Sequence, residues 1–407
     1  MIRSPIRIEE FRTRRNKVLR ALRGAVGLVQ SGTGAPPLRG AWEAHNDFYY
    51  LTGIRDESGA SVLFDPTNPD PRRRIVLFLR PTDPELEQWD GFREPIGRHM
   101  RDTTGFDTVL RTNQLPRALT AAAARSKRLA CLHQFAVYDA PVSSDLATFR
   151  KVCERVPGVA IEDRTDLLPK MRAIKSRAEQ ALIRKACQAT RVGYERVMGV
   201  IRPGVSERDV QRALEEGFIA GGGERTAYNS IVGTGANATV LHYMRNDATL
   251  EEGDILLIDA AAEVGGYTSD VTRAFPVSGR FTSEQRELYN LVLRALDAGI
   301  RAARPGATFV DVDMASRAVI DKAGLGDTFV HGIGHHIGLE VHDPPTQGRF
   351  EPGMIFTIEP GVYLKDRKIG IRLEDDILIT RDGRKNLTRD IPRTAEQIEQ
   401  AMRRARA

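Results

Sequence analysis

The chain has 407 residues, 41% hydrophobic and 28% charged, with a net charge of +6. That profile suits a globular protein of two or three domains with apolar cores, and no apolar run approaches the ~20 residues needed to cross a membrane. The basic residues are dispersed, so no nucleic-acid surface is expected.

The Arg-rich start MIRSPIRIEEFRTRRNKVLRAL raises a mitochondrial transit peptide, and Glu9 and Glu10 count against it. Cys131, Cys153 and Cys187 are isolated, which fits reduced thiols in a cytoplasmic protein. Residues 8 to 23 set Ile8, Phe11, Val18, Leu19 and Leu22 among charges, acids early and arginines late, which predicts a surface helix. GAVGLVQSG reads as a buried strand. HNDFYYLTGI and ASVLFDP read as strands or strand ends, and RRRIVLFLRP follows a turn at Asp65 to Pro69. An Ala-rich helix over 115 to 125 and the apolar run RLACLHQF complete an alternating pattern. Such alternation predicts an α/β domain over 1–165, with a linker at 166–176. Nothing in this half groups reactive residues.

The second domain, 177–407, opens with a helix from Arg177 that Pro203-Gly204 stops. Ser206 and Asp209 open another, to about Ile219. SIVGTGANA lacks the third glycine and basic ligand of a nucleotide-binding loop and reads as a tight strand-to-loop turn. Helices are expected over 283 to 303, from Val310 to about Lys322, and over 393 to 407.

Between these helices, DILLIDAAAEVGGYTSDVTRAF brings two apolar runs together at Gly265-Gly266, a hairpin signal. Asp259 and Asp270 sit in those runs. A carboxylate among strand residues is costly unless something pairs with it. Glu359 in MIFTIEPG and Glu374 in IGIRLEDDILI repeat the pattern. On one strand Glu374 shares a face with Arg372 and Asp376, so a salt bridge to Arg372 is the plain explanation for that residue alone. A cation pair accounts for all four acids together. Five of the eight histidines, His242, His331, His335, His336 and His342, crowd the same half.

Four carboxylates and one imidazole are mostly hard oxygen donors, which favours Mn²⁺ over structural zinc, with Co²⁺, Fe²⁺ or Zn²⁺ as alternatives. Such a set suits two divalent ions about 3.5–4 Å apart bridged by a hydroxide. Metal-assisted amide hydrolysis is the expected reaction class, with spare histidines holding the oxyanion or protonating the leaving nitrogen.

These stretches, with AYNSIVGTG, LHY, HGIGHHIGLEVHD, EPGMIFTIEPGVY and GIRLEDDILIT, make the chain similar to the pita-bread metallopeptidases (family M24), and within them to aminopeptidase P. HNDFYYLTGI resembles that family's N-terminal domain. The resemblance implies an N-terminal α/β domain followed by a pita-bread (creatinase/aminopeptidase-like) catalytic domain. It implies Asp259, Asp270, His335, Glu359 and Glu374 as metal ligands. His242 and His342 would contact substrate, His331 would line the pocket near the proline ring, and Arg372 would orient substrate or Glu374. The implied activity is release of the N-terminal residue from peptides with proline second, by attack of a metal-bridging hydroxide, in a homo-dimer or homo-tetramer. His336 and Tyr49 depart from the family pattern, which often has an aromatic residue and Trp there, and the stretch from Gly361 to Gly370 is short. The rival readings are an Xaa-Pro dipeptidase (prolidase), a creatinase-like amidinohydrolase and a non-catalytic binding module.

Overall fold

A computed structural model describes residues 4–34, 42–346 and 348–406, apart from the side chains of Leu86 and Asp90. The chain forms two compact units, Met1–Met171 and Arg172–Ala407. Among the described residues no helix is long and apolar enough to cross a membrane.

The first unit is built on a six-stranded mixed sheet. Its strands run, across the sheet, Thr108–Arg111, Ile75–Leu79, Ser61–Phe64, Val26–Gln30, Arg128–Cys131 and Ala160–Asp163. The pairs among the second to fourth strands are antiparallel; the outer pairs are parallel. Helix Leu115–Ser126 lays Leu119, Ala122 and Ala123, spaced as one helical face, into the core with Val26, Leu28, Phe78 and Phe149.

HNDFYYLTGI is not a strand. Residues Asn46–Thr52 form a short helix; His45 caps its start by accepting the Asp47 N–H, and Gly53 ends it at φ 70°. Phe48, Tyr49, Tyr50 and Leu51 are all buried, so the segment shows no amphipathic period. Gly53 is needed twice over, because a Cβ there would also lie 2.7 Å from the Phe11 ring.

The second unit layers helices over antiparallel sheets. Thr272–Pro276, Ile255–Asp259 and Ile231–Thr234 form one sheet, and Ile355–Ile358, Asp375–Thr380 and Gly383–Asn386 another. A third joins Arg225–Thr226, Ala262–Val264 and Tyr267–Thr268, and Gly361–Leu364 pairs with Ile369–Arg372. Helices Arg177–Val197, Ser283–Ala302 and Phe309–Asp321 each start in a reciprocal capping box, at Ser176/Glu179, Thr282/Gln285 and Thr308/Asp311. Helix Glu207–Ala220 is capped by Ser206, and helix Ala395–Arg406 closes the chain. The apolar faces of these helices meet the sheets in one large core that includes Tyr194, Phe218, Leu256, Phe275, Tyr289 and Phe356.

Gly265 and Gly266 do make the hairpin turn, at φ 60° and 83°. The two runs are each interrupted, however. Ala260-Ala261 separates Ile255–Asp259 from Ala262–Val264, and residues 269 to 271 separate Tyr267–Thr268 from Thr272–Pro276. Asp259 therefore faces Thr272 in the register, and Asp270 lies in the gap before that strand. Glu374 likewise falls in a break, between Ile369–Arg372 and Asp375–Thr380, and not within one continuous strand. Glu359 sits one residue past Ile355–Ile358. All four acids thus occupy strand ends or gaps, where side chains leave the pleat and reach a shared rim.

Candidate metal centre

A cavity of about 510 Å³ opens in the second unit, and all nine site residues expected from the sequence line it. These are Asp259, Asp270, His335, Glu359, Glu374, His242, His331, His342 and Arg372. Its apolar wall is made by Ile231, Leu241, Met244 and Val341.

Three of the four acids, Asp270, Glu359 and Glu374, converge on His335. Its Nε2 lies 3.5 Å from Oδ2 of Asp270 and 3.5 Å from Oε1 of Glu359. Ligand atoms of Asp270, His335 and Glu374 lie within 4.8 Å of one another. The Thr272 hydroxyl donates to Oε2 of Glu374 at 2.6 Å, and the Tyr228 hydroxyl sits between Oδ1 of Asp259, 2.6 Å away, and Oδ1 of Asp270. The Asp270 backbone N–H donates to Oδ2 of Asp376 at 3.2 Å.

Positive charge at the cluster is scarce. Arg372 donates through Nη2 to Oδ2 of Asp259 at 2.6 Å, through Nη1 to Tyr363 at 2.8 Å and through Nε to Thr272 at 3.2 Å. Its carboxylate contact is therefore Asp259, not Glu374 as the strand pattern suggested. Arg273, fully buried alongside, pairs with Asp375 at 2.7 Å and reaches only the backbone carbonyl of Glu374. Among the described residues, Arg372 is the one Lys or Arg that bridges any of the four acids.

The protonation energetics record the deficit. Burial, then the charge of Asp259, pushes the Asp270 carboxyl well above its ordinary range. Burial, then Asp270, does the same to Glu374, and burial pushes Glu359 up to about 7. Burial, then His342, draws His335 down to about 4, so its ring is neutral. The carbonyl of His336 lies 3.3 Å from His335 Nδ1. A proton donated there leaves Nε2 with a lone pair aimed at the acids. Crowded carboxylates short of countercharge beside a neutral imidazole are the donor set that divalent cations require.

His342 stacks edge-on against His335, ring centroids 4.1 Å apart. Nε2 of His331 lies 2.8 Å from the Tyr363 hydroxyl, which joins His331 through Tyr363 and Arg372 to Asp259. Burial, then Arg372, lowers His331 to about 4. His336 does not line the cavity: it is buried beside Phe309 and Phe356, with Nε2 3.2 Å from the Thr346 hydroxyl. Tyr49 is buried in the short helix of the first unit.

Sequence reading left out Tyr228, Tyr363 and Thr272. The tyrosines stand inside AYNSIVGTG and EPGVY, and a tyrosine in an apolar run signals a half-buried strand as readily as a ligand's support.

Fold and cavity together define a metal-dependent peptidase of pita-bread architecture. Residues 181–381 match the model of metallopeptidase family M24, and residues 11–130 that of the aminopeptidase P N-terminal domain. The chain is 33% identical to the Xaa-Pro aminopeptidase of Escherichia coli K12, over 99% of each chain. Its structure is similar to Pseudomonas aeruginosa aminopeptidase PepP, with a TM-score of 0.86, 30% identity and coverage of 100% and 99%. It is also similar to E. coli aminopeptidase P with the inhibitor Pro-Leu, with a TM-score of 0.87, 30% identity and coverage of 99% and 100%. The chain belongs to the aminopeptidase P group of metallopeptidase family M24 and is a metallo-aminopeptidase.

Proposed function

We propose that this metallo-aminopeptidase releases the N-terminal residue from peptides with proline in second position, using two divalent ions held by Asp259, Asp270, His335, Glu359 and Glu374. The observation that carries the reading is the convergence of four largely buried carboxylates and a neutral imidazole on one cavity, with Arg372 as their only bridging Lys or Arg among the described residues. The oxygen-rich donors favour Mn²⁺. When bound, such ions supply an activated water and polarise the scissile carbonyl.

The chain's own groups do the rest. Tyr228 and Thr272 hold the aspartates and Glu374 in fixed rotamers. His242 and His342 face the cavity, where they hydrogen-bond the developing oxyanion and give a proton to the leaving nitrogen. His331, tethered to Tyr363, lines the wall for the proline ring. Proline peptides resist general aminopeptidases because the tertiary amide lacks an N–H and fixes φ, so a dedicated pocket has a chemical purpose.

The state of Arg372 bears on the dipeptidase reading. A prolidase needs a cation free to grip the dipeptide's carboxylate. Arg372 is 3% exposed and commits Nε, Nη1 and Nη2 to Thr272, Tyr363 and Asp259. That supports longer peptides as substrates. Turnover of an Xaa-Pro-Pro tripeptide against an Xaa-Pro dipeptide in Mn²⁺ tests the choice; faster dipeptide cleavage would reverse it. Creatine turnover would instead favour the amidinohydrolase. Retained partner binding with no activity in any metal would favour the binding module.

A further inference from the structure

The loop from His335 to His342 carries two residues of the proposed site, and its far end is fixed by charge. Asp343 is 1% exposed in its side chain, yet it meets two cations from the start of the second unit. Arg172 donates through Nη2 to Oδ1 of Asp343 at 2.6 Å and to Glu340 at 2.8 Å; Nζ of Lys175 lies 3.3 Å from Oδ2. Oδ1 also accepts the Glu340 N–H at 3.3 Å. Gly338 permits the approach, because a Cβ there would stand 2.7 Å from Oδ2.

Burying three charges is expensive, and replacing such a cluster by apolar residues often stabilises a protein. A geometric task explains its presence better than stability does. The Asp343 backbone N–H donates to the carbonyl of His336 at 2.9 Å. That same carbonyl lies 3.3 Å from Nδ1 of His335. The carbonyl that faces Nδ1 of His335 is thus bonded to the residue that Arg172 and Lys175 anchor. Burial pushes the Asp343 carboxyl up, but Lys175 and then Arg172 outweigh it and hold it below the ordinary range. Arg172 stays charged, so Asp343 stays ionised.

We infer that Asp343 is a positioning residue: pinned by Arg172 and Lys175, it fixes His335 in the tautomer with Nε2 bare and sets His342 against the cavity. The inference rests on the proposed role of His335 as a ligand.

The test uses the full chain with Asp343→Asn, Asp343→Glu and Lys175→Met. Long-range ¹H–¹⁵N spectra of ¹⁵N-histidine-labelled, metal-free protein report the His335 tautomer; kcat and KM for an Xaa-Pro-Pro peptide are measured in Mn²⁺, well below each variant's Tm. Wild type is expected to show one His335 tautomer, protonated at Nδ1. Asp343→Asn is expected to show a tautomer mixture and a kcat at least ~10-fold lower, with KM within about twofold, on the scale of losing an outer support of a metal ligand. Asp343→Glu should recover the single tautomer and part of kcat. A folded Asp343→Asn with the wild-type tautomer and a kcat within about twofold overturns the inference, even if its Tm falls. If Asp343→Asn does not fold, Lys175→Met decides the matter: Arg172 still holds one carboxylate oxygen there, so partial mixing is expected and an unaltered spectrum overturns it. The spectra need neither peptide nor metal, so a wild type inactive on proline peptides would count against the proposed function and leave this inference standing.

Discussion

Nη2 of Arg372 sits 2.6 Å from Oδ2 of Asp259, with the arginine side chain 3% and the aspartate 12% exposed. The guanidinium neutralises one acid of the cluster; among the described residues no Lys or Arg does the same for Asp270, Glu359 or Glu374. Replacing it with Met removes one member of a buried pair, which costs about 3–5 kcal/mol. That loss is expected in the metal-free protein; added Mn²⁺ should restore part of it by taking over the charge of Asp259. Chemical denaturation of Arg372→Met with and without Mn²⁺ checks this, and equal losses in both conditions would separate Arg372 from the metal centre.

Tyr228→Phe removes the hydroxyl between Asp259 and Asp270 while keeping the ring. Second-sphere donors of this kind tune metal affinity by about 10–100-fold. Calorimetric titration with Mn²⁺ should show a weakening in that range, with a Tm close to wild type in the metal-free state. Unchanged affinity would mean that the ions do not use these two aspartates.

Gly334 precedes His335, and a Cβ there would fall 2.1 Å from the carbonyl oxygen of Thr357. That carbonyl is backbone in the strand Ile355–Ile358, so it cannot swing aside. Overpacking costs about 1–3 kcal/mol, and relief requires His335 to leave the Thr357 hydroxyl that its N–H now meets at 3.1 Å. Gly334→Ala should therefore fold with a lower Tm and a reduced metal content by elemental analysis. Wild-type metal content would show that the approach is not needed to seat His335.

The acids of the site and several helix starts are legible in the sequence. Asp259, Asp270, Glu359 and Glu374 stood out because an acid is expensive in an apolar strand, and Ser206 with Asp209 marked a helix start that the Ser206 side chain does cap. What escaped had no local signature. The helix Asn46–Thr52 is buried on every side, so its periodicity is silent. The break at Glu374 interrupts a run whose alternation reads as continuous. Arg172 and Asp343 meet across 171 residues of chain, and nothing near either one announces the other.

Acid stability follows from Asp343. Its folded pKa lies below the ordinary aspartate value, so the ionised form stabilises the fold. That contribution is fully present above the unfolded pKa of about 3.9. It is lost as pH falls through the lower folded value. Denaturation of wild type and Asp343→Asn between pH 3 and 7 should show a gap that is constant above about pH 5 and narrows below about pH 4. A gap that widens in acid would reverse the sign assigned here.

If the cluster of acids holds two catalytic cations, bound metal and turnover must rise and fall together. Chelator-treated protein titrated with Mn²⁺, with bound metal per chain and Xaa-Pro-Pro turnover measured at each step, tests it most directly. No turnover without metal, saturation at two ions per chain, and a loss of both on Asp270→Ala are expected. Full turnover in chelator, or metal binding that survives Asp270→Ala unchanged, would contradict it.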